Sequence, residues 1–408
     1  AAAGRGDSAT VARCAEKALA LGPPPDRRFE LHRDYATALG YLGRREDQER
    51  QIAEALALVP DDAARAHILA DQADLLWRTG RGQDALGVAA LAAEAARRAG
   101  DAEALTLVLG WQIGVLAGAG RLSEARQALA EAERVGPHVS PRARAFLVAQ
   151  RAALDGLAGE LVARRDAFQQ AVRLFREAND LRRAAGAEVN LADVQNRIGA
   201  YSEAASALKA AAESCRRLGL RGREGYALCN LAYAQTMLGL AQDALHHLAQ
   251  AAKLAVSTRD ARLHTVVRVY RVRALLRAGL VEQAVAEAEA AVGSAEAVGR
   301  PAWLVLALAA AARAHLTAGD PVTALGLSTR AVGLRDRLGA IEEDELEVFL
   351  VHVEVLQALG RAQEAEQWRS RGRDRLWEIA GRISDLTWRA RFLRDVPTHR
   401  ALVEDAGG

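Results

Sequence analysis

The chain is 408 residues long and almost neutral, with 54 basic against 52 acidic side chains and a formal net charge of +2, so no bulk field favours a nucleic acid or an anionic membrane. Half of it is hydrophobic but only 4% is aromatic, and no apolar run approaches the ~20 residues that span a bilayer. Its three cysteines, Cys14, Cys215 and Cys229, form neither an even disulfide framework nor a metal-ligand spacing, and read as buried small residues.

Residues 1–26 carry one helical pattern, Ala9–Leu21, which reads as the second helix of a hairpin whose first helix precedes residue 1; with alanine at that position, the chain is expected to be a piece of a longer protein. Arg5-Gly6-Asp7 and the Gly4, Gly6, Ala9 spacing are read as chance matches, since no strand precedes them. Pro23-Pro24-Pro25 separates this helix from the rest of the chain.

Over residues 27–380 the pattern repeats about every forty residues. Alanine recurs at Ala55, Ala92, Ala132, Ala171, Ala211, Ala251, Ala291 and Ala331, each twelve positions after a turn glycine: Gly43, Gly80, Gly120, Gly159, Gly199, Gly239, Gly279 and Gly319. A ninth such turn follows at Gly360, and a second set lies about half a period on, at Gly100, Asn179, Gly219, Arg259, Gly299 and Gly339. Glycine and asparagine tolerate the left-handed conformation that closes a helix. Each period is therefore two helices of roughly 16 residues, about 25 Å long. Further alanines just after the first turn, Ala85, Ala125, Ala204, Ala244, Ala284, Ala324 and Ala365, mark where paired helices cross closely; a larger side chain there overpacks by roughly 1–3 kcal/mol. In the fourth unit Arg164 stands at this alanine position. The expected fold is all-α, an α-solenoid of about nine helix-turn-helix repeats, one elongated domain rather than two or three globular ones.

This pattern resembles the tetratricopeptide repeat. Asn190, Leu191, Ala192, Gly199, Tyr201, Glu203 and Ala204 match its core residue by residue, as do Asn230, Leu231, Ala232, Gly239, Asp243 and Ala244. The period, about forty rather than about thirty-four residues, is similar to the long-helix repeats of bacterial signalling ATPases and of activators related to the maltose regulator. The resemblance implies a right-handed superhelix and a protein-binding scaffold or sensor. Residues 381–408, with Trp388, Phe392, Leu393 and Val396 ahead of Pro397, read as a capping helix and tail.

Catalytic motifs are missing. Lys17, Lys209 and Lys253 are the only lysines and none follows glycine, which removes a phosphate-binding loop; H-E-x-x-H, C-x-x-C and G-x-S-x-G are absent as well. No enzyme, cofactor or metal is expected. The arginine-heavy, lysine-poor composition points to a GC-rich bacterial genome and, with no apolar leader, to the cytoplasm.

The resemblance also implies where a partner binds: on the first helices, at positions six, three and two residues before the turn glycine, facing a concave groove. Those positions are Asp74, Trp77 and Arg78 in the second repeat, Asp193, Asn196 and Arg197 in the fifth, Tyr233, Thr236 and Met237 in the sixth, Arg273, Leu276 and Arg277 in the seventh, Arg313 in the eighth, and Glu354 and Gln357 in the ninth. The third repeat offers only Gly114, Ala117 and Gly118, a bare inner surface. Arg268, Arg271, Arg273 and Arg277 crowd one helix; some are expected to pair with Glu282 or Glu287, and the rest suit a carboxylate or phosphate. The acidic run Glu342, Glu343, Asp344, Glu345 and Glu347 reads as a solvated helix start. The function expected is a scaffold or regulatory sensor module, its partner a protein, a peptide or another domain of the same parent; the alternative is direct reception of a small molecule or signal peptide. No nucleic-acid or membrane partner is expected.

Overall fold

The computed structural model describes residues 8–135, 139–299, 301–341 and 344–404. Gly4, the Arg5-Gly6-Asp7 tripeptide, Glu342 and Glu343 lie outside these residues. Among the described residues every regular element is a helix. After α1 (Ser8–Ala20) come nine hairpins: α2 (Pro25–Leu42) with α3 (Arg45–Ala57), α4 (Asp62–Arg78) with α5 (Gly82–Ala99), α6 (Ala102–Gly118) with α7 (Leu122–Val135), α8 (Pro141–Ala158) with α9 (Leu161–Glu177), α10 (Leu181–Arg197) with α11 (Tyr201–Arg217), α12 (Arg221–Met237) with α13 (Ala241–Thr258), α14 (Ala261–Arg277) with α15 (Val281–Val298), α16 (Pro301–Thr317) with α17 (Pro321–Leu338), and α18 (Glu345–Ala358) with α19 (Ala362–Arg382). Two short helices, α20 (Leu386–Arg394) and α21 (Pro397–Val403), come last.

The turn residues act as the spacing requires. The nine hairpin glycines hold φ between 72° and 84°, and Asn179 and Arg259 close the second set at φ 55° and 48°. Gly43 shows the mechanism: its N–H donates to the Gly40 carbonyl at 3.3 Å and the next N–H, on Arg44, to Leu39 at 3.0 Å, satisfying carbonyls the helix would leave unpaired. Both alanine columns are sealed, with Ala251, Ala55 and Ala85 at 0% exposure. Arg164 is buried too, and a compensating change accommodates it: a Cβ on Gly156 would stand 2.5 Å from its Nη1, so the missing side chain makes the room. The first hairpin repeats the exchange, with Gln48 lying over Gly40. Of the cysteines, Cys215 and Cys229 are buried; Cys14 is exposed, contrary to expectation, on a helix that among the described residues packs mainly against α2.

Successive first helices touch one another, α4 with α6, α6 with α8, and α10 through α18 in sequence, and so form the inner, tighter layer. The superhelix closes on itself after about five hairpins. A Cβ on Gly43 would stand 2.7 Å from Thr258 Cα at the end of α13, and one on Gly159 would stand 3.2 Å from Ile379 on α19. Arg45 Nε donates to the Thr258 carbonyl at 3.2 Å, and Arg259 pairs with Glu46. The C-terminal helices fold back rather than continuing the stack: Phe392 and Leu402 share a core with Leu161, Ile198 and Phe349, and Arg391 reaches Glu203 at 2.8 Å.

Candidate functional site

The closed superhelix turns the inner positions of the fifth to ninth hairpins toward one another. Tyr201, Tyr233 and Tyr270 form a row, with ring centroids 6.4 Å apart for the first two and 5.1 Å for the second pair. Beside it stands Asp344, a non-glycine residue at φ 50° immediately before α18. Its carboxylate accepts from the Tyr233 hydroxyl at 3.2 Å and from Arg273 Nη2 at 3.0 Å, and Arg197 Nη1 lies 3.7 Å away. The Arg273 guanidinium also lies over the Tyr233 ring, 5.1 Å from its centroid. Burial works against the charge on Arg273, but Asp344 above all keeps it protonated beyond the ordinary arginine range. Burial, then the Asp344 charge, pushes the Tyr233 hydroxyl far above a normal phenol.

One turn further along α18, Glu347 accepts from the Thr398 hydroxyl at 2.6 Å and from Arg313 at 3.1 Å, and Arg313 also pairs with Glu354. Burial would raise the Glu347 carboxyl, yet Arg313 and Arg273 prevail and hold it at about 2. Glu345 joins Arg335 and Arg375. The described members of the acidic run are thus ion-pair partners, Glu345 buried and Asp344 and Glu347 half-buried, not a solvated helix start. Between these groups and α21 remains a cavity of about 80 Å³, touched by Arg197, Tyr233, Asp344, Glu347, Phe392 and His399.

Several positions expected to be exposed are therefore covered. Asp193 and Asn196 are buried; Asp193 holds Arg197 at 3.3 Å, and Asn196 donates to the Asn230 carbonyl at 3.1 Å. Tyr233 and Thr236 are buried, and Met237 packs half-buried against the core. Asp74 and Arg78 pair at 2.8 Å. Trp77 fills the third repeat: a Cβ on Gly118 would stand 2.4 Å from its ring, while Phe146 and Gln150 cover Gly110 and Gly114, so that surface is not bare. Arg268 and Arg271 share Glu287, at 2.9 and 3.9 Å, whereas Arg277 is exposed. The physical reason is packing between neighbouring inner helices and, around Asn196, Arg197 and Tyr233, the approach of Asp344 and of the C-terminal fold-back. The sequence reading named Tyr233 but missed Tyr201, Tyr270 and Asp344 as its companions; only the acidic run hinted at Asp344.

Among solved structures the chain is similar to the Rap protein complexed with competence and sporulation factor, at 14% identity over 83% of this chain and 97% of that one, with a TM-score of 0.57. The fold is a tetratricopeptide-type superhelix. A signal transduction ATPase with numerous domains from Pyrococcus horikoshii, described as having a tetratricopeptide repeat sensor, matches at 16% identity and TM-score 0.48 over 81% of this chain and 50% of its own; NprR in complex with its cognate peptide NprX matches at 15% and 0.41, over 74% and 76%. No family model and no curated protein matches the chain. Among the described residues of the superhelix, no helix is long and apolar enough to cross a membrane, and no three His, Cys, Asp or Glu side chains group as metal ligands.

Proposed function

We propose that this superhelix is a regulatory sensor or scaffold module of a bacterial signalling protein, a cytoplasmic and non-enzymatic arm that binds a peptide, a partner protein or another domain of its parent on its inner face. Residues 27–380 are the repeat unit in this reading, flanked by a partial repeat over 1–26 and a cap over 381–408. The observation that carries it is Asp344: an acidic side chain from outside the inner helices is gripped by Arg273, the Tyr233 hydroxyl and Arg197, as a partner's carboxylate would be, by charge-assisted hydrogen bonds and an aromatic-arginine pair. The complex of the Rap protein with competence and sporulation factor is in keeping with the same reading. The cavity beside Asp344, about 80 Å³, falls short of the roughly 300–1,000 Å³ of small-molecule pockets, which favours a peptide or protein over a small ligand at this site.

The exposed Arg277 and half-buried Met237, Arg313 and Glu354 are proposed to meet the partner, with Asp193, Asn196 and Arg197 supporting them; Asp74, Trp77 and Arg78 would extend the surface toward the second repeat. Panning the immobilised protein against a random peptide library tests this. Enriched peptides should share an acidic residue and lose about tenfold in affinity on Tyr233→Phe combined with Arg277→Ala. Enriched peptides indifferent to both substitutions, or no enrichment, would refute the assignment.

A further inference from the structure

The seam between the two superhelical turns follows one rule. A Cβ on Gly43 would stand 2.7 Å from Thr258 Cα, one on Gly80 3.7 Å from Val298 Cα, one on Gly120 3.1 Å from Leu338 Cδ2 and one on Gly159 3.2 Å from Ile379 Cγ1. Thr258, Val298 and Leu338 are the last residues of α13, α15 and α17, so the turn inside a hairpin rests against the end of the hairpin five places on. For the fifth hairpin the C-terminal fold-back takes that place, with Asp395 Cβ 2.9 Å from a Cβ on Gly199. Charge crosses the seam in one direction: Glu46 and Glu203, three and four residues after their glycines, take Arg259 and Arg391 from the element that rests on them.

The same turns in hairpins six to nine carry nothing. A Cβ on Gly239, Gly279, Gly319 or Gly360 meets no atom within 4 Å among the described residues. Ile198 and Ala200, which flank Gly199, are 1% and 5% exposed, whereas Leu238 and Leu240, which flank Gly239, are 40% and 48% exposed, and Leu280, next to Gly279, 37%. Asp243 and Glu282 stand four and three residues after their glycines, as Glu203 and Glu46 do, but are exposed and make no ion pair among the described residues. This rim repeats the covered one in backbone, apolar flank and charge. Large apolar side chains grouped on a surface mark a contact region.

The complementary rim is on the same molecule. Ala99-Gly100 and Leu218-Gly219, at the ends of hairpins two and five, correspond in register to Thr258-Arg259 and Val298-Gly299. A Cβ on Gly100 or Gly219 also meets nothing within 4 Å among the described residues, and Ala99 is exposed where Thr258 is buried. Exposed arginines stand beside both turns. Arg97, Arg98 and Arg216 pair with Glu131, Asp62 and Glu213, while Arg217 makes no ion pair among the described residues and donates to Ser214 Oγ at 3.4 Å.

We propose that the chain associates head to tail with a second copy of itself, the open turns of hairpins six to nine in one copy receiving the hairpin ends of the first superhelical turn in the next, so that the seam continues from molecule to molecule. Such a contact is heterologous and leaves each copy with a free rim, so it propagates instead of closing at a dimer. It uses none of Tyr233, Arg273 or Asp344 and stands apart from the inner-face reading above.

Sedimentation velocity of the whole chain, from micromolar to submillimolar concentration, is the test. The weight-average mass should rise steadily with concentration and pass that of a dimer. Leu240→Glu with Leu280→Glu, on one rim, should weaken association about tenfold or more, and so should Ala99→Glu with Arg217→Glu on the other. All four positions are exposed or half-buried, so far-UV circular dichroism should be unchanged; Asp243→Lys with Glu282→Lys serves in place of the leucine pair if that variant does not fold. Mixing the two rim variants should restore a complex that stops at one of each, because only one intact rim remains on either partner. A monomer at every concentration, association indifferent to the rim substitutions, or variants that fail to complement when mixed would overturn the proposal.

Discussion

Closure of the superhelix can be tested with glycines that are alike locally and differ only in what they face. Gly43 and Gly239 both end a first helix, at φ 76° and 80°, so alanine at either costs the same left-handed penalty, roughly 1–2 kcal/mol. At Gly239 the new Cβ meets nothing within 4 Å; at Gly43 it would lie 2.7 Å from Thr258 Cα and Cγ2. Thr258 cannot yield cheaply, because it is buried and its carbonyl holds Arg45 at 3.2 Å. Overpacking of this kind adds about 1–3 kcal/mol, so Gly43→Ala should cost that much more than Gly239→Ala. Gly199→Ala, with Asp395 Cβ at 2.9 Å, should fall between them, and Gly80→Ala, whose nearest atom is 3.7 Å away, should match Gly239→Ala. Urea unfolding followed by far-UV circular dichroism gives the four values. Equal losses at Gly43 and Gly239, within about 0.5 kcal/mol, would show that the two superhelical turns do not touch.

Ala251→Leu, at a fully buried helix crossing, should lower stability by about 1–3 kcal/mol; Arg277→Ala, on an exposed side chain, should stay within about 0.5 kcal/mol, while Arg273→Ala, which strips Asp344 of its nearest cation, should cost about 2 kcal/mol; equal effects from all three would undo the assignment of faces. Asp71 gives a pH signature: burial, then Asp74, pushes its carboxyl up to about 7, so the folded state holds an extra proton above the unfolded value of about 4 and stability falls as pH rises across that window. Asp71→Asn should therefore gain about 1–2 kcal/mol over wild type at pH 8, after discounting for partial solvation, and little at pH 4. Comparing the two proteins at each pH cancels the opposite trend from His352 and His399, which burial draws down to about 4 and which lose stability as pH falls below the ordinary histidine range; a difference that does not vary with pH would refute the placement of Asp71.

The repeat was legible because its requirements are local. A left-handed turn at Gly199 or Asn179 and a close helix crossing at Ala211 each constrain the residue that sits there, so they recur visibly. The exchange of Arg164 with Gly156 was legible in principle, as a glycine three residues before the turn wherever the crossing alanine is replaced by something large. Contacts between superhelical turns leave no such trace: nothing in Gly43 or Thr258 announces the other, 215 positions away. For that reason Asp193, Asn196 and Tyr233 read as open surface from their register alone, although neighbouring repeats, Asp344 at the start of the ninth hairpin and the C-terminal fold-back close around them.

Asp344 makes the inner face already occupied from within. An acidic group arriving from solution meets guanidinium and phenol donors engaged by a residue on the same chain, whose local concentration is on the order of millimolar for a short tether. Its apparent affinity is reduced by the fraction of molecules in which those donors are free. If the inner face binds as proposed, simple carboxylates in the surrounding fluid would thereby be screened out, and a response would demand an entrant that adds further contacts along the superhelix. Selectivity would then reside as much in the strength of the internal competitor as in the shape of the groove, and the sensitivity of such a module could be retuned by changing one residue outside the helices that do the binding.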